Sequence, residues 1–187
     1  MKYFILIVLS LVFFGSSCKK NKNSNPFDQL PPETQIGANT FGCLVNGEVF
    51  KPSGLQLSGG SLNCVYQRIY SDINNGYVFG ISGGKRGNNS DVKDIGFRLD
   101  SMKVIEGETY NLRRQTKGAG YGQYSHYGTV GSSSIYQTND IYKGSVSFTR
   151  FDLTNQIASG TFFFNAVGPN NDTVKITGGR FDVHFTQ

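Results

Sequence analysis

The stretch Phe162-Phe163-Phe164-Asn165-Ala166-Val167-Gly168-Pro169-Asn170-Asn171-Asp172-Thr173-Val174-Lys175-Ile176-Thr177-Gly178-Gly179-Arg180-Phe181-Asp182-Val183-His184-Phe185 decides the fold class. Phe162, Phe164 and Ala166 recur every second residue, the pattern of a strand with one buried face. Gly168-Pro169-Asn170-Asn171 is a run of turn formers. Beyond it Val174 and Ile176 alternate with Lys175 and Thr177, and Phe181, Val183 and Phe185 alternate with Asp182 and His184. Two arrangements fit the intervening Gly178-Gly179. A tight turn would set Ile176 opposite Phe181, Val174 opposite Val183 and Lys175 opposite Asp182. Alternatively, one long strand runs through a glycine bulge.

The same reading extends upstream. Thr40 to Val45 and Glu48 to Phe50 flank Asn46-Gly47, a dipeptide suited to a two-residue hairpin because both positions need positive φ. Leu62 to Tyr70 and Tyr77 to Ile81 flank Asn75-Gly76 in the same way. Ile95, Phe97 and Leu99 alternate with Gly96, Arg98 and Asp100, and Val146 and Phe148 alternate with serines and Thr149. The phase slips at Arg150-Phe151, which predicts a bulge or bend. No segment holds a 3.6-residue apolar period over three turns of helix. Only four alanines stand against 24 glycines in the 187 residues, a balance that favours turns over helices. The expectation is an all-β, antiparallel single domain over residues 38–187, either a β-sandwich or a meander barrel.

The N-terminus carries a different kind of signal. Lys2 precedes an apolar run from Phe4 to Phe14, and Gly15-Ser16-Ser17 leads into Cys18. This is the layout of a secretory signal, and the run is too short for a bilayer span, which needs about 20 apolar residues. Small residues ending at a cysteine resemble the lipobox of bacterial lipoproteins, with Gly15 where Leu is usual; short, loose forms ending in Ser-Cys resemble those of Bacteroidetes. The resemblance implies cleavage after residue 17 and lipidation of Cys18. Residues 18–37 then read as a lipidated tether: Lys19-Lys20-Asn21-Lys22-Asn23-Ser24-Asn25-Pro26 and Pro31-Pro32 are polar, proline-marked and aperiodic. The expected address is the cell envelope, on the outer membrane. Surface export in that group resembles an acidic signal after the cysteine, and the basic residues here favour the periplasmic face.

A second resemblance covers both ends of the domain. Thr40-Phe41-Gly42-Cys43-Leu44-Val45-Asn46-Gly47 with Phe50 and Pro52 looks like the opening of an uncharacterised family of small Bacteroidetes lipoproteins. Its closing pattern is similar to Phe151-Asp152, Asn155, Ser159-Gly160-Thr161-Phe162, Ile176-Thr177 and Gly179-Arg180-Phe181-Asp182-Val183. It implies a fold and an address, and no activity.

Chemistry-bearing residues are sparse. The net charge of +5 falls to +3 from Ala38 onward, with fourteen Lys+Arg against eleven Asp+Glu and no basic stripe, so nucleic acid is not an expected partner. His126 and His184 lack companions at metal-ligand spacing, so neither a metal nor another cofactor is expected. No paired acid, base or nucleophile constellation marks an enzyme, and a hydrolase is the weakest alternative. Gly80 to Lys85 is one residue short of a phosphate loop and reads as a turn. Cys43 and Cys64 are candidates for a disulfide outside the cytoplasm, or two buried free thiols. Tyr121, Tyr124, Tyr127 and Tyr136, set among Gly, Ser, Gln and Asn, are candidates for a ligand-binding loop, since tyrosine offers contact area at low entropy cost. The alternative is a long hairpin whose tyrosines cover the core edge. The functional expectation is a non-enzymatic envelope binding module, its partner beyond the membrane an envelope protein or a glycan; the alternative is a glycan- or nutrient-binding lipoprotein using the Tyr-rich loop.

Overall fold

The computed structural model describes residues 25–54, 61–69, 76–87, 91–128 and 132–187. Cys18, the signal segment, Lys19 to Lys22 and Asn75 lie outside the described residues. Among the described residues eleven strands follow a short 3-10 turn at Pro26–Gln29: β1 Thr40–Val45, β2 Glu48–Phe50, β3 Leu62–Arg68, β4 Tyr77–Arg86, β5 Val92–Leu99, β6 Thr109–Leu112, β7 Gly120–Tyr127, β8 Ser133–Gln137, β9 Gly144–Asp152, β10 Ile157–Val167 and β11 Thr173–His184. They form one mostly antiparallel sheet, ordered β2-β1-β11-β10-β9-β6-β7-β5-β4-β3, with β8 paired to β7 and touching β10.

The sheet curls back on itself. Beyond β11, Thr186 bridges to Val65 of β3, and beyond β2, Ser53 bridges to Lys85 of β4. The Tyr66 N–H donates to the Thr186 carbonyl at 2.8 Å, and the Thr186 N–H donates to that of Cys64 at 3.0 Å. Edge backbone groups that would otherwise invite foreign strands are therefore partly used internally. Opposite sides of the curl pack their inner faces across one core. Phe79 meets Phe148 edge-on at 5.0 Å, and Phe97 meets Phe162 at 5.4 Å and Phe181 at 5.6 Å. Each such pair adds about 0.5–1.5 kcal/mol beyond area burial.

Local sequence explains the details. Asn46 and Gly47 have φ of 49° and 87°, and Val45 pairs with Glu48 across them, as a two-residue hairpin requires. The phase slip in β9 is a bulge: Arg150 pairs with Ser159 and Phe148 with Gly160, which leaves Thr149 unpaired. Gly178-Gly179 is no hairpin. β11 runs through it as one strand, Gly178 has φ of 60°, and the register with β10 shifts between Phe162 and Phe164. Lys175 consequently pairs with Asn165, and Asp182 with Ser159.

Asp182 organises the N-terminal approach. It is 1% exposed, and its carboxylate accepts hydrogen bonds from Thr34 Oγ1 at 2.5 Å, Ser159 Oγ at 2.7 Å, and the backbone N–H groups of Gly37 at 2.8 Å, Ala38 at 3.1 Å and Ile36 at 3.2 Å. Successive amides converge on one anion as in a backbone nest, helped by the left-handed Gly37 at φ 71°. Arg180 adds a 3.1 Å bond to the Pro31 carbonyl and an ion pair with Glu33 at 3.3 Å. Phe27 and Leu30 cover Gly178, and Pro31 covers Gly42, where a Cβ would find no room. Residues 25–37, expected as the end of a tether, are instead docked on β1 and β11.

Burial by itself raises the Asp182 pKa, but the hydrogen bonds from Thr34, Ser159, Ala38 and Gly37 outweigh it and hold the group at about 2. A depressed folded-state pKa stabilises above the unfolded value of about 3.9 and loses that contribution as pH falls. Acid unfolding followed by circular dichroism should therefore show a component lost as pH falls from about 4 to about 2, missing in Asp182→Asn. Asp182→Ala orphans buried donors and should cost about 3 kcal/mol, lowering Tm by on the order of 10 °C. An unchanged melting curve would show that the N-terminal segment is not held this way.

Candidate functional site

The Tyr-rich stretch is a hairpin of β7 and β8, not an open loop. Alternation along β7 places Tyr121, Gln123 and Tyr127 on the outer face and Tyr124 on the inner one. Tyr124 is buried and lies 5.6 Å ring to ring from Tyr136, its direct cross-strand partner. The Tyr136 hydroxyl donates to Asp172 Oδ2 at 2.5 Å. Tyr121 is half-buried and Tyr127 exposed at the far end of the strand. The four candidates thus form no single cluster: Tyr124 and Tyr136 cover the core edge, and Tyr121 and Tyr127 stand apart on the opposite face.

Cys43 on β1 and Cys64 on β3 are free, buried thiols rather than a disulfide. Their strands are not neighbours in the sheet, and burial pushes both thiols well above the usual cysteine range. His126 lies on β7, not in a loop, and its Nε2 pairs with Asp91 Oδ1. His184 is exposed, with its ring against Gly37. Gly80 to Lys85 belongs to β4. Among the described residues no group of three His, Cys, Asp or Glu side chains is placed to hold a metal ion.

A depression of about 740 Å³ sits at one end of the curled sheet, where sequence reasoning placed nothing. Its floor is Tyr66 of β3 and Tyr77 of β4, stacked at 4.9 Å with their planes 9° apart. Phe151 and Phe185 support Tyr66 edge-on from within the core at 4.9 and 5.8 Å. The rim is Lys103, Val104 and Ile105 on one side and Leu153 on the other. Ile105 and Leu153 are 58% and 56% exposed.

Two hydrogen-bonded braces hold that rim. The Tyr110 hydroxyl donates to the Lys103 carbonyl and accepts from the Ile105 N–H, both at 2.9 Å. The Glu106 carboxylate accepts from the Phe151 N–H at 2.9 Å, which ties the rim to β9. Leu153 is presented by the β9–β10 turn, where Asp152 accepts from the N–H groups of Thr154 and Asn155 and from Arg150. The result is a preformed cup with a flat aromatic floor, aliphatic walls and a cationic rim, suited to an amphipathic ligand with a planar or apolar body. Only Leu153, an apolar residue between Asp152 and Thr154-Asn155, could have pointed to it from sequence.

A smaller cleft of about 120 Å³ lies between β2 and β4, β5 and β7, where Glu48, Lys85, Asp91, Lys93 and Tyr124 meet. A third hollow, of about 210 Å³, lies on the outer face of β3, β4, β5 and β7. No family model, curated protein or solved structure matches this chain.

The thiols give a direct check on the packing. Maleimide labelling without reductant should count two thiols in the denatured domain and none in the native one within minutes, because burial keeps both protonated. A count of zero after denaturation would mean that Cys43 and Cys64 are bonded.

Proposed function

We propose that the protein is a lipid-anchored, non-enzymatic binding module of the cell envelope. Acyl chains on Cys18 hold it at the periplasmic face of the outer membrane, and its ligand sits in the cup floored by Tyr66 and Tyr77. The cup carries the reading: at about 740 Å³ it falls in the range of small-molecule sites, roughly 300–1,000 Å³, and rings, aliphatic side chains and a cation line it.

The docked N-terminal segment supports the anchored geometry. Only Lys19 to Ser24 separate Cys18 from Asn25. Whatever their conformation, they reach at most about 25 Å, since each residue spans at most ~3.6 Å. A lipidated Cys18 therefore keeps the domain beside the bilayer. A tether free to residue 37 would allow far more reach.

Two measurements test the proposal. Cys18→Ser should abolish labelling by radioactive fatty acid and release the protein from the membrane fraction, because several acyl chains are needed for stable anchoring. A wild-type protein that never takes up label would sink the anchor. For the cup, the unlipidated Cys18→Ser protein should bind the aromatic anion anilinonaphthalene sulfonate with enhanced emission. Ile105→Glu and Lys103→Glu should each weaken it about tenfold, the equivalent of 1.4 kcal/mol. Equal titrations for all variants would remove the cup from the reading.

A further inference from the structure

We propose that the outer face of β3, β4, β5 and β7 carries a second binding site, a trough for a neutral saccharide in which Asp94, Arg98 and Gln123 hydrogen-bond sugar hydroxyls and Tyr121 stacks on the ring face. The site is separate from the cup and does not depend on it.

Strand register builds the trough. Gly96 of β5 lies between Ser82 of β4 and Gln123 of β7, and Arg98 lies between Gly80 and Tyr121. Asp94 comes next along β5, between Gly84 and Ser125. The outward positions of β4 are thus Gly80, Ser82 and Gly84, a floor with almost no side chain. Long polar groups stand beside it, with Asn63 and Val65 of β3 on the other side. The hollow of about 210 Å³ has room for a single sugar ring.

The packing does not demand this floor everywhere. At Gly96 a Cβ would lie 2.2 Å from the Ile81 carbonyl oxygen, so glycine is needed there for the approach of β4 and β5. At Gly80 a Cβ would meet only Val65 Cγ2, at an ordinary 3.6 Å. A side chain would fit at Gly80 and would stand in the trough. Its absence is what keeps the hollow open.

Asp94, Arg98 and Tyr121 are unspent, and Gln123 keeps one N–H and one lone pair beyond the two bonds that hold it. Gln123 is fixed from both ends: its Oε1 accepts from Gln137 Nε2 at 2.8 Å, and its Nε2 donates to Ser125 Oγ at 2.9 Å. The side chains of Asp94, Arg98 and Tyr121 make no hydrogen bond or ion pair among the described residues. For Asp94 this is costly, since burial pushes its carboxyl up to about 6 without a compensating donor. A carboxylate acceptor, a guanidinium donor and an amide next to a half-buried phenol match the alternating hydroxyl and C–H surfaces of a pyranose. A carboxylate and a guanidinium together leave the trough near neutrality, which favours a neutral sugar over an acidic one.

The experiment is a glycan microarray carrying neutral and acidic oligosaccharides, probed with the full-length protein in a detergent lacking a sugar headgroup, with calorimetry on the hits. Neutral glycans should bind. Tyr121→Ala and Asp94→Asn should each weaken binding about tenfold or more, in line with one lost contact. Gly80→Val should keep the wild-type Tm and abolish binding, and Ile105→Glu, at the cup, should change nothing. An array with no neutral hit, hits confined to acidic glycans, or full binding by a folded Gly80→Val protein would each overturn the assignment.

Discussion

The buried Asp182 carboxylate is the contact on which the placement of this domain depends. It lies on β11, beside β10, and its five donors come from Ser159 of β10 and from the segment that precedes β1. A charge removed from water costs several kcal/mol unless its lone pairs are filled. Here they are filled by groups that can converge only when residues 34–38 lie against the sheet. The anion therefore dictates the path of the chain, and Phe27, Leu30 and Pro31 extend the contact with apolar cover. Asn25, where the described residues begin, is held at a place fixed by this contact.

The same economy of contacts shapes the two hollows. Curling one sheet until its edges are bridged requires tight bends, supplied by the bulges at Thr149 and at Gly178-Gly179. The aromatic core that fills the curl ends in Tyr66 and Tyr77, whose rings close it and face outward at once. The cup is thus the exposed end of the core rather than an addition to it. The trough arises differently. Gly96 lets β4 and β5 approach and Gly80 leaves the outer surface bare, while the inward positions Phe79, Ile81, Ile95 and Phe97 carry the packing.

Much of the fold was legible in the sequence because period-two alternation maps directly onto an inner and an outer face. β1, β2, β5, β9 and β10 all follow from it, including the phase slip at Arg150-Phe151. The ambiguity at Gly178-Gly179 was settled by a long-range fact, the pairing of β11 with β1 and β10 at once, which local pattern does not encode. The docking of residues 25–37 was missed for the same reason. Pro, Asn and Asp in that stretch suit a loop, and their partner lies some 145 positions away at Asp182. Which tyrosines cover the core edge was not legible, because abundance says nothing about face. Tyr124 belongs to the inner set with Gly120 and Gly122, and Tyr121 and Tyr127 to the outer one.

The residues that carried the family resemblance now have physical roles. Asp152 and Asn155 build the β9–β10 turn, Ser159 and Asp182 form the carboxylate contact, Gly179 lies in the β11 bulge, and Phe162 and Phe181 are core. All of them serve the scaffold. Asp94, Arg98, Lys103 and Ile105 fall outside that pattern, and they line the two hollows. A scaffold fixed by turns, bulges and one buried anion leaves such positions free to change without cost to folding. A fold of this kind can hold its shape while the residues that line its hollows change.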